Sequence, residues 1–198
     1  MEPEVKGYLY KETVAGFFRA WKLNEMHLGI VRAVNEMRIA GREMIIKKTG
    51  VESAECARLL EECVVTGLLC ENLVILKNDS GILLYMVDTG GIFALEEAGL
   101  AYRRVSYTAG MDERISIYRK NIYLAENGLA EGEAANVFFY EKITSSQIDE
   151  KLRGATVLVD MRIAGEINIA GEVEKELDSL RKKFGARIYD IGNRKWLN

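Results

Sequence analysis

Between Asn24 and Gly99 a glycine stands at nearly every change of hydrophobic period, and this punctuation divides the segment into a few short elements. Asn24 suits the N-cap of a helix in which Met26, Ile30, Val34 and Met37 recur near every fourth residue, with Gly41 expected to break it. A shorter helix is expected over 42–48, stopped at Thr49-Gly50. Ser53 is read as the cap of a third helix whose apolar stripe is Cys56, Ala57, Leu60, Cys63 and Val64, ended by Gly67. Leu73 to Leu76 reads as a strand, Lys77-Asn78-Asp79-Ser80-Gly81 as a turn and Ile82 to Val87 as the returning strand. Asp88-Thr89-Gly90-Gly91 opens another helix, over 92–98, which closes at Gly99.

An opening helix is expected over 13–21, where Val14, Phe17, Phe18 and Trp21 follow helical spacing behind Thr13. After residue 104 the pattern changes. Strands are expected at 115–118, 121–124 and 136–140, a short helix from Ser145-Ser146 to Leu152, and a buried strand at 155–160. A helix over 172–184 follows, with Gly185 just past its end and a closing strand at 186–190. The strand-helix-strand run from 155 to 190 favours parallel pairing. The pentapeptide Met-Arg-Ile-Ala-Gly occurs at 37–41 and 161–165 without further similarity around it, and is read as coincidence.

The three cysteines, Cys56, Cys63 and Cys70, are spaced by seven. On one helix that is two turns, about 10.5 Å along the axis, beyond the roughly 4.4–6.8 Å between Cα atoms that a disulfide spans. Cys56 and Cys63 are therefore expected on one face as small buried apolar groups, neither bonded to each other nor sharing a metal. Free thiols suit a reducing compartment. No run approaches the eighteen or so apolar residues of a membrane span. Met1-Glu2-Pro3-Glu4 lacks the basic-then-apolar layout of a signal peptide, so a cytoplasmic location with no membrane partner is expected.

The helix, short helix, turn, helix, hairpin and helix of residues 24–100 resemble winged helix-turn-helix proteins, most closely archaeal transcription regulators. Gly41 to Val51 resembles the second helix and turn, Arg58-Leu59-Leu60-Glu61-Glu62 the third helix, Thr66-Gly67-Leu68-Leu69 its exit, and Tyr85 to Thr89 the strand returning from the wing. The resemblance implies an α+β chain: a winged helix-turn-helix domain with an extra N-terminal helix over 1–103, and a small α/β domain for dimerisation or effector sensing over 104–198. It further implies binding to double-stranded DNA as a homodimer, the third helix lying in the major groove. Arg38, Arg42, Lys47 and Lys48 are then the phosphate clamps, Ser53 and Arg58 reach bases or phosphates, and Lys77 and Asn78 form the wing tip.

Charge complicates that expectation. The net charge is −3, but residues 1–50 carry nine Lys/Arg against six Asp/Glu, while residues 51–100 carry two against nine. Glu52, Glu55, Glu61 and Glu62 leave the third helix net negative after Arg58 is counted. Either some of these carboxylates face away from the duplex, paired with Arg38 or Arg42, or the alternative holds, a winged-helix module that docks a protein partner.

No catalytic machinery is expected, and no cofactor or metal. His27 is the single histidine, without metal spacing around it. There is no glycine-rich phosphate loop. Asp160 and Glu166 follow a buried strand as nuclease carboxylates do, but no lysine stands at the companion position, and a structural reading is preferred. The small-residue stretch from Ala164 to Gly171 is read as a plain loop, and Trp196 as packed on its domain.

Overall fold

A computed structural model of the chain describes residues 16, 18–20, 23–75, 81–103, 105, 111–129, 136–140, 143, 152–161 and 170–197. The chain divides into two compact units, Met1–Arg114 and Ile115–Asn198, each with helices and strands, so the protein is of mixed α+β class. Among the described residues no helix is long and apolar enough to cross a membrane. The opening helix lies largely outside the described residues, and the turn residues 77–80 and the helix beginning at 145 and 146 also lie outside them.

Helix α1, Glu25–Met37, begins at its expected cap. The Asn24 side chain accepts from the N–H of Met26 at 2.9 Å and of His27 at 3.4 Å, and His27 Nδ1 accepts the Asn24 N–H at 3.1 Å. Histidine thus fills the position that Glu or Gln takes in most capping boxes. The helix stops at Arg38 and not at Gly41. Arg38 adopts φ 62°, a positive value that costs a non-glycine residue about 1–3 kcal/mol. The reversal sends Ile39 and Ala40 into the core, and Gly41 pairs with Leu84 as part of strand β1, Ala40–Gly41.

Helix α2, Arg42–Thr49, ends at Gly50, whose φ of 71° glycine adopts without strain. Helix α3, Ser53–Val65, is capped by Glu52 rather than Ser53. The Glu52 carboxylate accepts from the N–H groups of Ala54 (2.9 Å) and Glu55 (3.2 Å), which satisfies two orphan donors and places negative charge at the positive end of the helix. Cys56, Leu59, Leu60 and Cys63 form its buried side, so both cysteines face inward as expected.

Strands β2, Leu69–Ile75, and β3, Gly81–Val87, form an antiparallel hairpin with Leu69 opposite Val87 and Ile75 opposite Gly81. Strand β1 adds to the far edge of β3, giving the order β1-β3-β2. Helix α4, Thr89–Glu97, is capped by Asp88, which accepts the Thr89 N–H at 2.7 Å. It packs so closely on the exit of α3 that a Cβ on Gly91 would lie 2.2 Å from the Leu68 carbonyl oxygen. Only glycine fits there. Ile30, Val34, Ile45, Leu60, Leu69 and Leu95 meet in one core. The buried Asn35 amide donates to Ala101 O and accepts the Arg103 N–H, which pins the chain after α4 to α1.

Residues 115–118 and 121–124, expected as strands, belong to one helix, α5, Met111–Glu126. Ile115 and Ile117 satisfy a period of two, yet Ile115, Tyr118 and Ile122 also stand three and four apart, and short runs obey either rule. Burial decides. Tyr123 and Leu124, neighbours in sequence, both pack with Leu158, Tyr189 and Ile191, whereas a strand would send them to opposite faces.

Strands β4, Val137–Phe139, β5, Thr156–Val159, and β6, Arg187–Asp190, run parallel, and β7, Lys195–Leu197, closes the edge antiparallel to β6. Helix α6, Ala170–Phe184, joins β5 to β6 and lays Val173, Leu177 and Leu180 on Val157, Val159 and Ile188. The strand-helix-strand expectation therefore holds. Trp196 packs on its own unit, with its ring 5.2 Å from that of Tyr189, its Nε1–H donated to Asn127 Oδ1 and Arg187 lying over its face.

Candidate nucleic-acid interface

A helix turns about 100° per residue, so the buried side of α3 fixes what its opposite side carries. That outward side is Ala54, Arg58, Glu61 and Val65, all exposed. Arg58 stands in its middle. Its Nε donates to Glu55 Oε2 at 3.0 Å and its Nη2 to Glu55 Oε1 at 2.6 Å, a two-point fork, while Nη1 donates to Glu62 Oε1.

The second oxygen of Glu62 takes a hydrogen bond from His27 Nε2 at 2.7 Å. His27 is buried, with Nδ1 3.1 Å from the Asn24 backbone nitrogen and 3.0 Å from Asn24 Oδ1. One line of hydrogen bonds therefore runs from the cap of α1 through His27 and Glu62 to Arg58 and Glu55. The hydrogen bond from Arg58 holds the Glu55 carboxyl below its ordinary range. For Glu62 the His27 hydrogen bond is the larger cause and Arg58 adds to it. Glu55 and then Glu62 strengthen the hold of Arg58 on its own proton.

The other expected contact residues divide into groups. Arg42, exposed, donates from Nη2 to Ser53 O at 2.6 Å and to Ser53 Oγ at 2.9 Å, so these two meet at the leading end of α3. Lys48 reaches Glu36 on α1 at 2.7 Å, with both side chains about half exposed. Lys47 is exposed and Arg38 half-buried. Lys77 and Asn78 lie outside the described residues. Arg42 and Ser53 thus meet at the leading end of α3, Arg58 stands further along its outward side, and Lys48 turns toward α1.

No family model, curated protein or solved structure matches this chain. Its chemistry is read from its residues alone.

Two carboxylates of the second unit are buried beside its strands. Asp190, buried at the end of β6, accepts the N–H groups of Met161 and Asn193, each at 3.3 Å, and the Asn193 side-chain amide at 2.6 Å. Asp160, at the end of β5, is also buried, and Glu166 lies outside the described residues. Among the described residues no group of three or more His, Cys, Asp or Glu is placed to hold a metal ion. Burial pushes the Cys63 thiol up to about 12, far from a reactive thiolate.

Sequence reasoning missed the role of His27, whose partner lies 35 residues away. The Glu55, Arg58 and Glu62 spacing of three and four was legible, since such residues are neighbours on a helix.

Proposed function

We propose that residues 24–100 are a winged helix-turn-helix module and that the protein is a DNA-binding transcriptional regulator. In this reading α3 enters the major groove of double-stranded DNA and the β2–β3 hairpin is the wing. The observation that carries it is the pairing of Ala40–Gly41 with the far edge of β3, alongside an α3 whose outward side is uncovered. Arg38, Arg42, Lys47 and Lys48 act as phosphate clamps. The Lys48–Glu36 pair offers little resistance, because exposed ion pairs contribute about 0–1 kcal/mol and a phosphate replaces the carboxylate at small cost. The second unit serves dimerisation or effector sensing, and a cytoplasmic homodimer suits a palindromic operator.

Affinity for duplex DNA measured against salt concentration tests this. The expected result is a steep loss with added salt, and a slope reduced by about one for each phosphate contact removed in Lys47→Ala and Lys48→Ala. Absence of binding at low salt overturns the reading.

A second reading, docking of a protein, draws on different residues. Val65 is 80% exposed at the end of the outward side of α3, and Leu73 and Leu83, directly opposite each other on the hairpin, are 61% and 38% exposed. Apolar groups and the acidic α3 suit a protein surface better than phosphate. A stoichiometric protein partner that survives nuclease treatment, and is lost with Val65→Asp and Leu73→Asp, is the expected result. A partner released by nuclease argues against it.

A further inference from the structure

We infer that Arg58 is the specificity-determining side chain of the module, and that it reads a guanine in the major groove while Glu55, Glu62 and His27 hold it in place. This rests on the DNA-binding reading above and names the base feature which that site recognises.

Arg58 lies at the centre of the outward side of α3 and is half exposed, with the Ala54 methyl and its own partner Glu55 one turn before it.

Arginine has five N–H groups. The three bonds to Glu55 and Glu62 use one hydrogen on each nitrogen, which leaves one on Nη1 and one on Nη2. Guanine is the base that presents two acceptors side by side in the major groove, O6 and N7. A lysine cannot reproduce this, because its single nitrogen lacks the planar two-point edge.

Charge then separates a base from a phosphate. Arg58 with Glu55 and Glu62 sums to −1, so a phosphate approaching this group meets net repulsion, whereas the neutral edge of a guanine does not. The remaining lone pairs of Glu55 and Glu62 accept from amino groups of adjacent cytosine or adenine, and they are repelled by the acceptor atoms of guanine and thymine. The acidic character of α3 becomes a filter on sequence, and the phosphate contacts belong to Arg38 and the cations of α2.

Finally, the arrangement is fixed before DNA arrives. The Glu55 fork restrains the guanidinium plane, and Glu62 is itself held from behind by the buried His27. His27 and the two glutamates are positioning residues. A held arginine loses less freedom on binding than a free one.

Selection from a randomised duplex library with the whole protein at low salt, followed by affinities for the selected site and its single-base variants, tests the inference. The wild type is expected to select a fixed guanine, with a loss of about 5- to 100-fold when that base pair is changed. Arg58→Lys and Arg58→Ala should abolish that preference alone, with an unchanged salt slope, and Glu62→Gln should weaken it while the circular dichroism spectrum stays that of the wild type. The inference is overturned if the selected sequence is the same with Arg58→Ala, or if Arg58→Lys and Arg58→Ala lower the salt slope by about one as the loss of a phosphate contact does. Wild-type protein that binds duplex DNA without any guanine preference overturns it as well, while the regulator reading stands. Failure to bind any duplex at low salt removes both together.

Discussion

His27 and Glu62 meet at 2.7 Å across 35 residues of chain, and their hydrogen bond joins the N-cap of α1 to the face of α3. The imidazole acts twice, with Nδ1 in the cap of α1 and Nε2 hydrogen-bonded to the carboxylate. His27→Ala removes both bonds and leaves a void beneath α3, so a loss of about 1–3 kcal/mol is expected. It should appear as a lower urea midpoint with an unaltered slope. The same contact sets an acid limit. Glu62 and Glu55 both titrate below the ordinary value of 4.5 in the folded protein, so the unfolded chain binds more protons in the interval between the two values. Their contribution is fully present above the ordinary carboxylate range and is lost as pH falls through the folded values. Glu62→Gln should flatten the acid side of the stability profile, and an unchanged profile would show that the pair carries no pH dependence.

Glu52, not Ser53, bears the start of α3. Glu52→Ala is expected to cost about 0.5–2 kcal/mol as a lost cap, against less than about 0.5 kcal/mol for Ser53→Ala at an exposed position. Equal effects would contradict the assignment. Glu52→Gln should also raise the affinity for duplex DNA at low salt, because it removes a negative charge from the leading end of the helix.

Asp190 organises the end of the second sheet by accepting three N–H groups around β6. Asp190→Ala strands those donors near a buried site and is expected to destabilise the second unit by on the order of 3 kcal/mol. Trp196, paired edge-on with Tyr189 one residue before Asp190, supplies the readout. In a Trp21→Phe background its emission should report unfolding at lower urea than in the parent. An unshifted transition would make Asp190 a bystander.

Much of the first unit was legible because its signals are local. Asn24 and Asp88 cap helices through bonds to residues one to three positions away, and Gly50, Gly67 and Gly99 end segments through a positive φ. The inward side of Cys56 and Cys63 followed from spacing alone. Where two local answers were of similar merit, tertiary packing chose between them. Arg38 took the unfavourable φ where Gly41 was expected to break the helix, and the turn there buries Ile39 and Ala40 together. Residues 115–124 obeyed both a strand and a helix period, and the cluster of Leu158, Tyr189 and Ile191 selected the helix.

The candidate interface divides in the same way. Arg42, Ser53 and Arg58 were identifiable from their places relative to α3, but their partners were not. The sequence alone determined where helices begin and end and which side of each is apolar, since those properties depend on hydrogen bonds and spacings within about four residues. Tertiary structure decided that His27 braces Glu62, that Ala40–Gly41 pairs with β3 and that Lys48 turns to Glu36. Each of these joins groups distant along the chain, and their energies arise only once the core has packed and fixed the geometry between them.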